Sequence, residues 1–549
     1  MKKIIRNDIQ RAMRRLKLKC NKAFTVEVPK NDSYGDFSSN VALISAELND
    51  LKPITIANRL IKQLSPKEYY AEITKAGPGF VNFKLTDEVY LEELQQIHKL
   101  KADYGASEYG NKEKVILEYV SANPTGPLNI VSARSAAYGN TLHRILSLVG
   151  FKPFSEFYIN DAGNQVEILA ESLELRYREH HGEDIGEFPH EGYHGEYLKE
   201  LASQLALAEG RKLFHLGEKD RIERMKNFAL ASMHRDHIAS LDRFGVKFDN
   251  WMSERKLRDE GVLEEALSYL AEAHVTFEQD DAVWFASTKF GDEKDRVLIK
   301  SDGNPTYLVP DIAYHITKYH RGFTHIIDVL GPDHHGYVPR LMAALQALEL
   351  PTDRLEIIYL QQINLLEDGV NVKMSKRAGK IVTLDDLIDE VGKDAARYFF
   401  LERRPSSHLN FDLDLAKSKT QENPVYYVQY AHARIASVLK KARKEKFSIK
   451  KFDKKLLHLL KSDDDLAFIK KMMSLTDTLE NIADTREPHR LAKYTYELAS
   501  MVHKYYAKET IIDKKNNELT QCRLYLLWAV KCVLEICLDL MGISAPDKM

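Results

Sequence analysis

The sequence predicts an α/β fold: a doubly wound parallel sheet set between a small α+β unit and an all-α unit. Three observations carry that expectation. Between Lys114 and about Asp414, short β-branched and aromatic runs alternate with longer helical patterns, as parallel strands joined by crossover helices do. Beyond Phe411 the strand signals fade and apolar residues recur at three- and four-residue spacing. With 549 residues the chain is too long for one core, so it divides. The divisions read as 1–110, 111–414 and 415–549, with a charged, mostly helical insertion at about 180–290.

In the first unit, helical patterns at about 5–20, 37–49 and 53–64 are interspersed with the extended runs FTVEV and GPGFVNFKL. Gly77, Pro78 and Gly79 mark the turn before the second run, and a helix at about Asp87–Leu100 leads out. The turn-forming NDSYGDFSSN offers Asp36, Ser38 and Ser39 as helix caps. In the sheet unit, KVILEYV, FKPFSEFYI, HIIDVLG and EIIYLQQINL are strand candidates. Helices at Ala133–Leu148, Gln165–Tyr177 and Val338–Leu348 lie between them. In the last unit Leu491, Tyr494, Leu498, Val502 and Tyr505 form one packing stripe, and a long apolar helix spans about Leu519–Met541.

The net charge of −2 supplies no global field for a polyanion, so such a partner needs local basic patches. No apolar run reaches the roughly 18 residues that suggest a membrane span. Cys20, Cys522, Cys532 and Cys537 lack zinc-like spacing and fit buried thiols of a reducing compartment. The basic N-terminal stretch contains Asp8 and lacks a long apolar core, so it reads as a first helix rather than a targeting signal. A cytoplasmic protein is expected.

Two stretches carry chemistry. SANPTGPLNIVSARSA, Ser121 to Ala136, follows a strand candidate and has the composition of a ligand-holding loop at the end of a parallel strand. About 240 residues on, NVKMSKRAGK crowds Lys373, Lys376, Arg377 and Lys380 around Ser375 and Gly379. Flexible ammonium groups of this kind follow a phosphate whose charge changes during transfer.

At these residues the chain resembles a known family. KMSKRAG is similar to the KMSKS signature of class I aminoacyl-tRNA synthetases. SANPTGPLNIVSARSAAYGN resembles the arginyl-tRNA synthetase form of the HIGH signature. YGDFSSNVAL, GPGFVNFKL, NDAGNQ, LVPDIAYH, GPDHHGYV, NPVYYVQYAHARI and the closing GISAPDKM resemble further segments of that family, in order, along essentially the whole chain. The resemblance implies a Rossmann-like catalytic domain, an N-terminal tRNA-contacting domain and a helical anticodon-binding domain. It implies activation of L-arginine by ATP, with Mg2+ accompanying the nucleotide and no structural metal. Transfer of the arginyl group to tRNA(Arg) follows, by a monomeric enzyme whose first step needs bound tRNA.

The resemblance also assigns residues. Glu118 and Asp311 hold the guanidinium fork, with Ser121, Asn123 and Tyr307 completing the pocket. ATP lies on Pro124, Gly126, Pro127, Leu128, Val131, Gly331, Asp333, His334 and Met374, while Asn129, Ser132, Lys373, Ser375 and Lys376 act on the reacting phosphate. Lys440, Lys441 and Arg443, with Tyr426 and Tyr430 for stacking, face tRNA. Glu118 stands in an otherwise apolar strand, where a buried carboxylate needs a cation, and arginine would supply one. Plainer readings stand beside these: Glu118 as an edge-strand residue facing water, Asp311 as a helix cap after Pro310, Asp333 with His334 and His335 as metal ligands. The basic run Lys440–Lys455 also reads as a solvated linker, and its tyrosine neighbours as core.

The family pattern after Pro-Leu is His-Val-Gly-His, where this chain has Asn129, Ile130, Val131 and Ser132. Asn129 and Ser132 keep a donor, but Val131 fills space that Gly leaves for adenine. Loss of one such donor costs on the order of 10²–10³ in rate, which leaves a working variant. The rival is a non-catalytic arginine- or tRNA-binding paralog with an impaired ATP site.

Overall fold

A computed structural model of the chain describes residues 1–29, 31–64, 68–372, 383–447 and 454–549. Two compact units emerge. One comprises Met1–Tyr104, Arg434–Asp477 and Met501–Val533; the other comprises Gly105–Ala433, Thr478–Ser500 and Leu534–Met549.

The first unit opens with α1 (Lys2–Arg15), whose apolar stripe Ile5, Ile9, Ala12 and Met13 is buried and whose last turn carries Arg14 and Arg15 against the helix dipole. Then follow β1 (Val26–Glu27), β2 (Phe37–Ser39), α2 (Val41–Ile44), α3 (Pro53–Leu64), β3 (Tyr70–Ala76), β4 (Phe80–Leu85) and α4 (Asp87–Leu100). The strands form an antiparallel sheet in the order β1-β2-β4-β3. The helix expected over 37–49 is not formed. Phe37 and Ser39 alternate inward and pair with Phe83 and Val81, leaving the single turn α2 and a 3-10 turn at Glu47–Asn49. Asp36 caps no helix; its Oδ2 accepts from the Leu85 N–H at 2.8 Å.

In the second unit β5 (Lys114–Glu118) leads through α5 (Ile130–Leu148) to β6 (Lys152–Ile159). α5 packs close because Ala133, Ala136, Ala137 and Gly139 line it; a Cβ at Gly139 would lie 2.2 Å from the Tyr119 ring. α6 (Asn164–His180), α7 (Glu196–Glu209) and α8 (Glu218–Phe244) then intervene before β7 (Asn250–Ser253). After α9 (Glu254–Asp259) and α10 (Val262–Glu272) come β8 (Thr276–Gln279), β9 (Ala282–Phe285) and β10 (Arg296–Ile299), an antiparallel ribbon. Asp280 and Asp281 at its first turn both have left-handed φ, 52° and 55°, as a tight hairpin requires.

α11 (Leu308–His320) returns the chain to the main sheet at β11 (His325–Leu330), and α12 (Val338–Ala347) leads to β12 (Leu355–Tyr359). The five-stranded sheet β12-β11-β5-β6-β7 is parallel throughout. EIIYLQQINL, read as one strand, is two. β13 (Ile363–Glu367) belongs to a separate small sheet with β14 (Val370–Asn371), then come α13 (Leu384–Val391) and α14 (Lys393–Leu401), and β15 (Leu409–Asp412) completes it. Beyond α15 (Leu413–Lys417) the chain is helical: α16 (Pro424–Lys444), α17 (Asp463–Met473), α18 (Leu475–Thr485), α19 (His489–Lys508) and α20 (Asn517–Leu540). The α19 stripe from Leu491 to Tyr505 is buried at every position expected. The fold is a Rossmann-like parallel sheet with a small N-terminal α+β part and an all-helical C-terminal part.

Candidate active site

β5 is followed by β6 on one side of it and is flanked by β11 on the other. Strand order therefore reverses between β5 and β11, and their carboxyl ends open a crevice where ligands of such sheets bind. Both loops picked out in the sequence, Tyr119–Asn129 and Gly331–Tyr337, leave from that edge.

The β5 loop begins with strain. Val120 and Ser121 have φ of 73° and 39°, a conformation that costs on the order of 1–3 kcal/mol each, more so for a β-branched residue. The bend aims Ser121 Oγ back at its own strand. It donates to Glu118 Oε1 at 2.9 Å and accepts from the Tyr158 N–H at 3.1 Å.

Glu118 lies in the central strand of the sheet, 7% exposed, so the edge-strand reading fails. The cation that pairs with it is part of the chain. Lys318 Nζ donates to Glu118 Oε2 at 2.6 Å and to Asp328 Oδ1 at 2.8 Å, while His315 Nε2 lies 2.8 Å from Asp328 Oδ2. Burial alone would lower the Lys318 ammonium, but the Asp328 and Glu118 carboxylates outweigh it and hold it above the ordinary lysine range. Burial would likewise raise Asp328, yet Lys318 and His315 hold it below the carboxylate range. A guanidinium at Glu118 would thus share that carboxylate with Lys318 and Ser121. Sequence reasoning missed Lys318, although Asp311, His315 and Lys318 at i, i+4 and i+7 announce one helix face.

Asp311 sits half-buried in the first turn of α11, whose N-cap position is Tyr307, so it is not a capping residue. Burial pushes its carboxyl up to about 6. The Tyr337 hydroxyl lies against it, and the buried Tyr158 hydroxyl is under the influence of Glu254, Asp311 and Glu118. Neither buried hydroxyl makes a hydrogen bond of good geometry. Tyr307, 64% exposed, lines with Tyr337, Arg296 and Arg340 a cavity of about 370 Å³. Asn123 is exposed and donates from Nδ2 to Gln165 Oε1 at 2.7 Å.

Asn129 caps α5: its Oδ1 accepts from the Val131 N–H at 3.0 Å and the Ser132 N–H at 3.1 Å. The cap fixes the amide's orientation and leaves Nδ2 as the group available to a ligand. The Val131 side chain is 45% exposed on the first turn. Pro124 and Leu128 are buried, and Gly126 and Pro127 half-buried. After β11, Gly331 is extended, Asp333 and His334 point into solvent 3.7 Å apart, and His335 stacks on Tyr359.

Lys373, Met374, Ser375 and Lys376 lie outside the described residues, but the chain that flanks them does not. Thr383 forms an antiparallel bridge with Asn129, and the Leu384 N–H donates to the Leu128 carbonyl at 2.7 Å. The described chain therefore resumes, at Thr383 and Leu384, on the β5 loop. Lys440, Lys441 and Arg443 are exposed on the last turns of α16 in the first unit. Tyr426 and Tyr430, half-buried in the second unit, lie with rings parallel at 6.2 Å.

Three family models match the chain end to end: the arginyl tRNA synthetase N terminal domain over residues 2–85, the class I (R) tRNA synthetase catalytic domain over 93–438, and the DALR anticodon binding domain over 428–549. An arginine–tRNA ligase of Oceanobacillus iheyensis is 43% identical over 95% of this chain and 94% of its own. The chain belongs to the arginyl-tRNA synthetase family. A solved Campylobacter jejuni candidate arginyl-tRNA synthetase is 36% identical with a TM-score of 0.79, covering 85% of this chain and 100% of that one. The Thermus thermophilus arginyl-tRNA synthetase, 21% identical, shares the fold over the full length of both chains with a TM-score of 0.76. The crevice at the β5–β11 reversal thus lies within the part matched by the family's catalytic domain, and the strained Val120–Ser121 bend, Glu118, Asp311 and the Asn129 cap are all in it.

Proposed function

We infer that the chain is an arginine–tRNA ligase whose active centre is the crevice at the carboxyl ends of β5 and β11. The α-carboxylate of L-arginine attacks the α-phosphorus of ATP. The new P–O bond gives arginyl-adenylate, and the bond to the β-phosphate breaks as pyrophosphate leaves. The 2′-hydroxyl of the 3′-terminal adenosine of tRNA(Arg) then displaces AMP, giving up its proton. The observation that carries the reading is the pair of carboxylates at Glu118 and Asp311, set at the strand-order reversal beside a loop whose last residue, Asn129, bridges to Thr383.

Glu118 and Asp311 take the guanidinium, with Ser121 orienting Glu118 and with Tyr307 and Asn123 closing over the substrate. Desolvation makes such a pocket strongly selective for a planar cation. ATP lies along Pro124–Leu128 and Val131, its ribose near Gly331, Asp333 and His334. Asn129 Nδ2 and Ser132 donate to the α-phosphate, and Lys373, Met374, Ser375 and Lys376 cover the leaving pyrophosphate. Mg2+ enters with ATP. Residues 1–110 and 415–549 contact tRNA, through Lys440, Lys441, Arg443, Tyr426 and Tyr430 in the latter. The enzyme acts as a monomer in the cytoplasm, a setting consistent with four cysteines that form no disulfide among the described residues.

The test is arginine-dependent ATP–pyrophosphate exchange in the presence of tRNA(Arg). Exchange with arginine alone among the amino acids is expected, with about 10²-fold more arginine needed by Asp311→Asn. Binding of arginine or tRNA with no exchange and no affinity for ATP would instead identify the non-catalytic paralog.

A further inference from the structure

Beyond the Gln165 contact with Asn123, two further side chains of the helices α6–α8 reach the backbone of the loop after β5. Tyr197 Oη donates to the Thr125 carbonyl oxygen at 2.6 Å, and His237 Nε2 donates to the Gly126 carbonyl oxygen at 2.8 Å. These partners stand 72 and 111 residues further along the chain. The loop needs them. Among the described residues Val120–Leu128 pair with no strand, and the loop's two prolines bring no N–H of their own.

Both contacts are built rather than incidental. His237 is 2% exposed, and burial pushes its imidazole below the ordinary value, so it is neutral at pH 7 with its proton on Nε2. Tyr197 folds back over Gly195: a Cβ there would fall 2.4 Å from the Tyr197 ring. Gly195 has φ of −65°, open to any residue, so room for the ring is what calls for glycine. The helices have a core of their own, including Leu169, Leu173, Leu198, Leu201, Met225 and Met233, which makes them a firm support.

We propose that Tyr197 and His237 are positioning residues for the nucleotide: α7 and α8 clamp the backbone at Thr125 and Gly126, and the clamp sets the loop that receives ATP and the Asn129 amide at its end. This rests on the reading of that loop as the ATP site. A positioning role differs from general packing in what it changes. Removing one donor leaves the fold and the Glu118 and Asp311 carboxylates alone and disturbs the loop about Thr125 and Gly126.

The experiment is aminoacylation of tRNA(Arg) by the full chain with ATP and arginine varied separately. Tyr197→Phe, which keeps the ring, is expected to raise KM for ATP about tenfold, the cost of one buried carbonyl left unsatisfied. KM for arginine should stay within about twofold of wild type, as expected for a site the substitution does not touch. The thermal transition should fall by no more than a few degrees, the shift expected for the loss of one hydrogen bond. Gly195→Ala should reproduce the effect by displacing the ring. His237→Gln, which still donates, should retain ATP affinity that His237→Ala loses. Unchanged KM for ATP in Tyr197→Phe and Gly195→Ala, or an equal rise for both substrates, overturns the clamp. If wild type fails to charge tRNA(Arg), the proposed activity falls by itself, and equilibrium binding of a non-hydrolysable ATP analogue decides the clamp. Weaker binding by Tyr197→Phe sustains it; equal binding, or none by wild type, overturns it.

Discussion

Asp311 is the residue whose chemistry depends most visibly on pH. Its carboxyl is raised to about 6 by burial, against an ordinary value of 3.8. Between those values the folded chain holds a proton that the unfolded chain has lost, so this group's contribution to stability falls as pH rises from about 4 to 6. A bound guanidinium reverses the preference and favours the anion. Arginine binding near pH 6 should therefore release a proton, and KM for arginine should climb by up to about tenfold per pH unit below 6. In Asp311→Asn that pH dependence should vanish and KM should rise about 10²-fold. Steady-state kinetics between pH 5 and 8 would check both. Lys318 makes a different statement. Its side chain is fully buried between two carboxylates, and Lys318→Met strands both of them. A loss of about 3–5 kcal/mol is expected, readable in denaturant unfolding of the apo protein. The neighbouring Glu156, in register with Glu118 on β6, is paired in the same manner by Arg321 and Tyr314.

At the scale of elements, the proposed site gives α5 two jobs through one side chain. Asn129 Oδ1 closes the helix end, and the proposal assigns Nδ2 to the phosphate. Asn129→Asp keeps the cap and should preserve the thermal transition, yet it sets an anion against ATP and should lower kcat/KM by at least 10²-fold. Asn129→Ala should lose about 1 kcal/mol of stability as well as activity. Differential scanning calorimetry beside exchange kinetics separates the two. Much of this element was legible: the pattern predicts a helix over Ala133–Leu148, and the structure starts it three residues earlier, at Ile130, behind the Asn129 cap. The strained Val120–Ser121 bend was not legible. No local signal asks a valine for positive φ; the surrounding hydrogen bonds impose it. The helix expected at 37–49 failed because Phe37 and Ser39 gain more from pairing with β4 than from a helical turn.

At the scale of the molecule, Arg397 binds the second unit together from within. Fully buried, it donates from Nε to the Met541 carbonyl at 2.6 Å, from one terminal nitrogen to the Phe244 carbonyl at 3.2 Å, and from the other to Asn140 Oδ1 at 2.9 Å. Gly542, with φ of 69° and a Cβ position 2.5 Å from that guanidinium, gives the chain end room to reach it. Arg397→Met leaves three buried acceptors unpaired at about 1–3 kcal/mol each, and the unit should unfold in markedly less denaturant. Hydrogen exchange should show α5 and the chain end losing protection together.

The sequence by itself indicated the class of fold, four of the five strands of the parallel sheet, and the stretches proposed to meet a nucleotide. Those properties rest on periodicity, loop composition and short strings, which are local. Only the tertiary structure decided that Glu118 already has a cation in Lys318, that Asp311 is pushed toward neutrality, and that two helices of the insertion hold the loop after β5. Each depends on which distant residue shares a low-dielectric space with which, and the cost of burying a charge or a carbonyl is set by that neighbour rather than by its place along the chain.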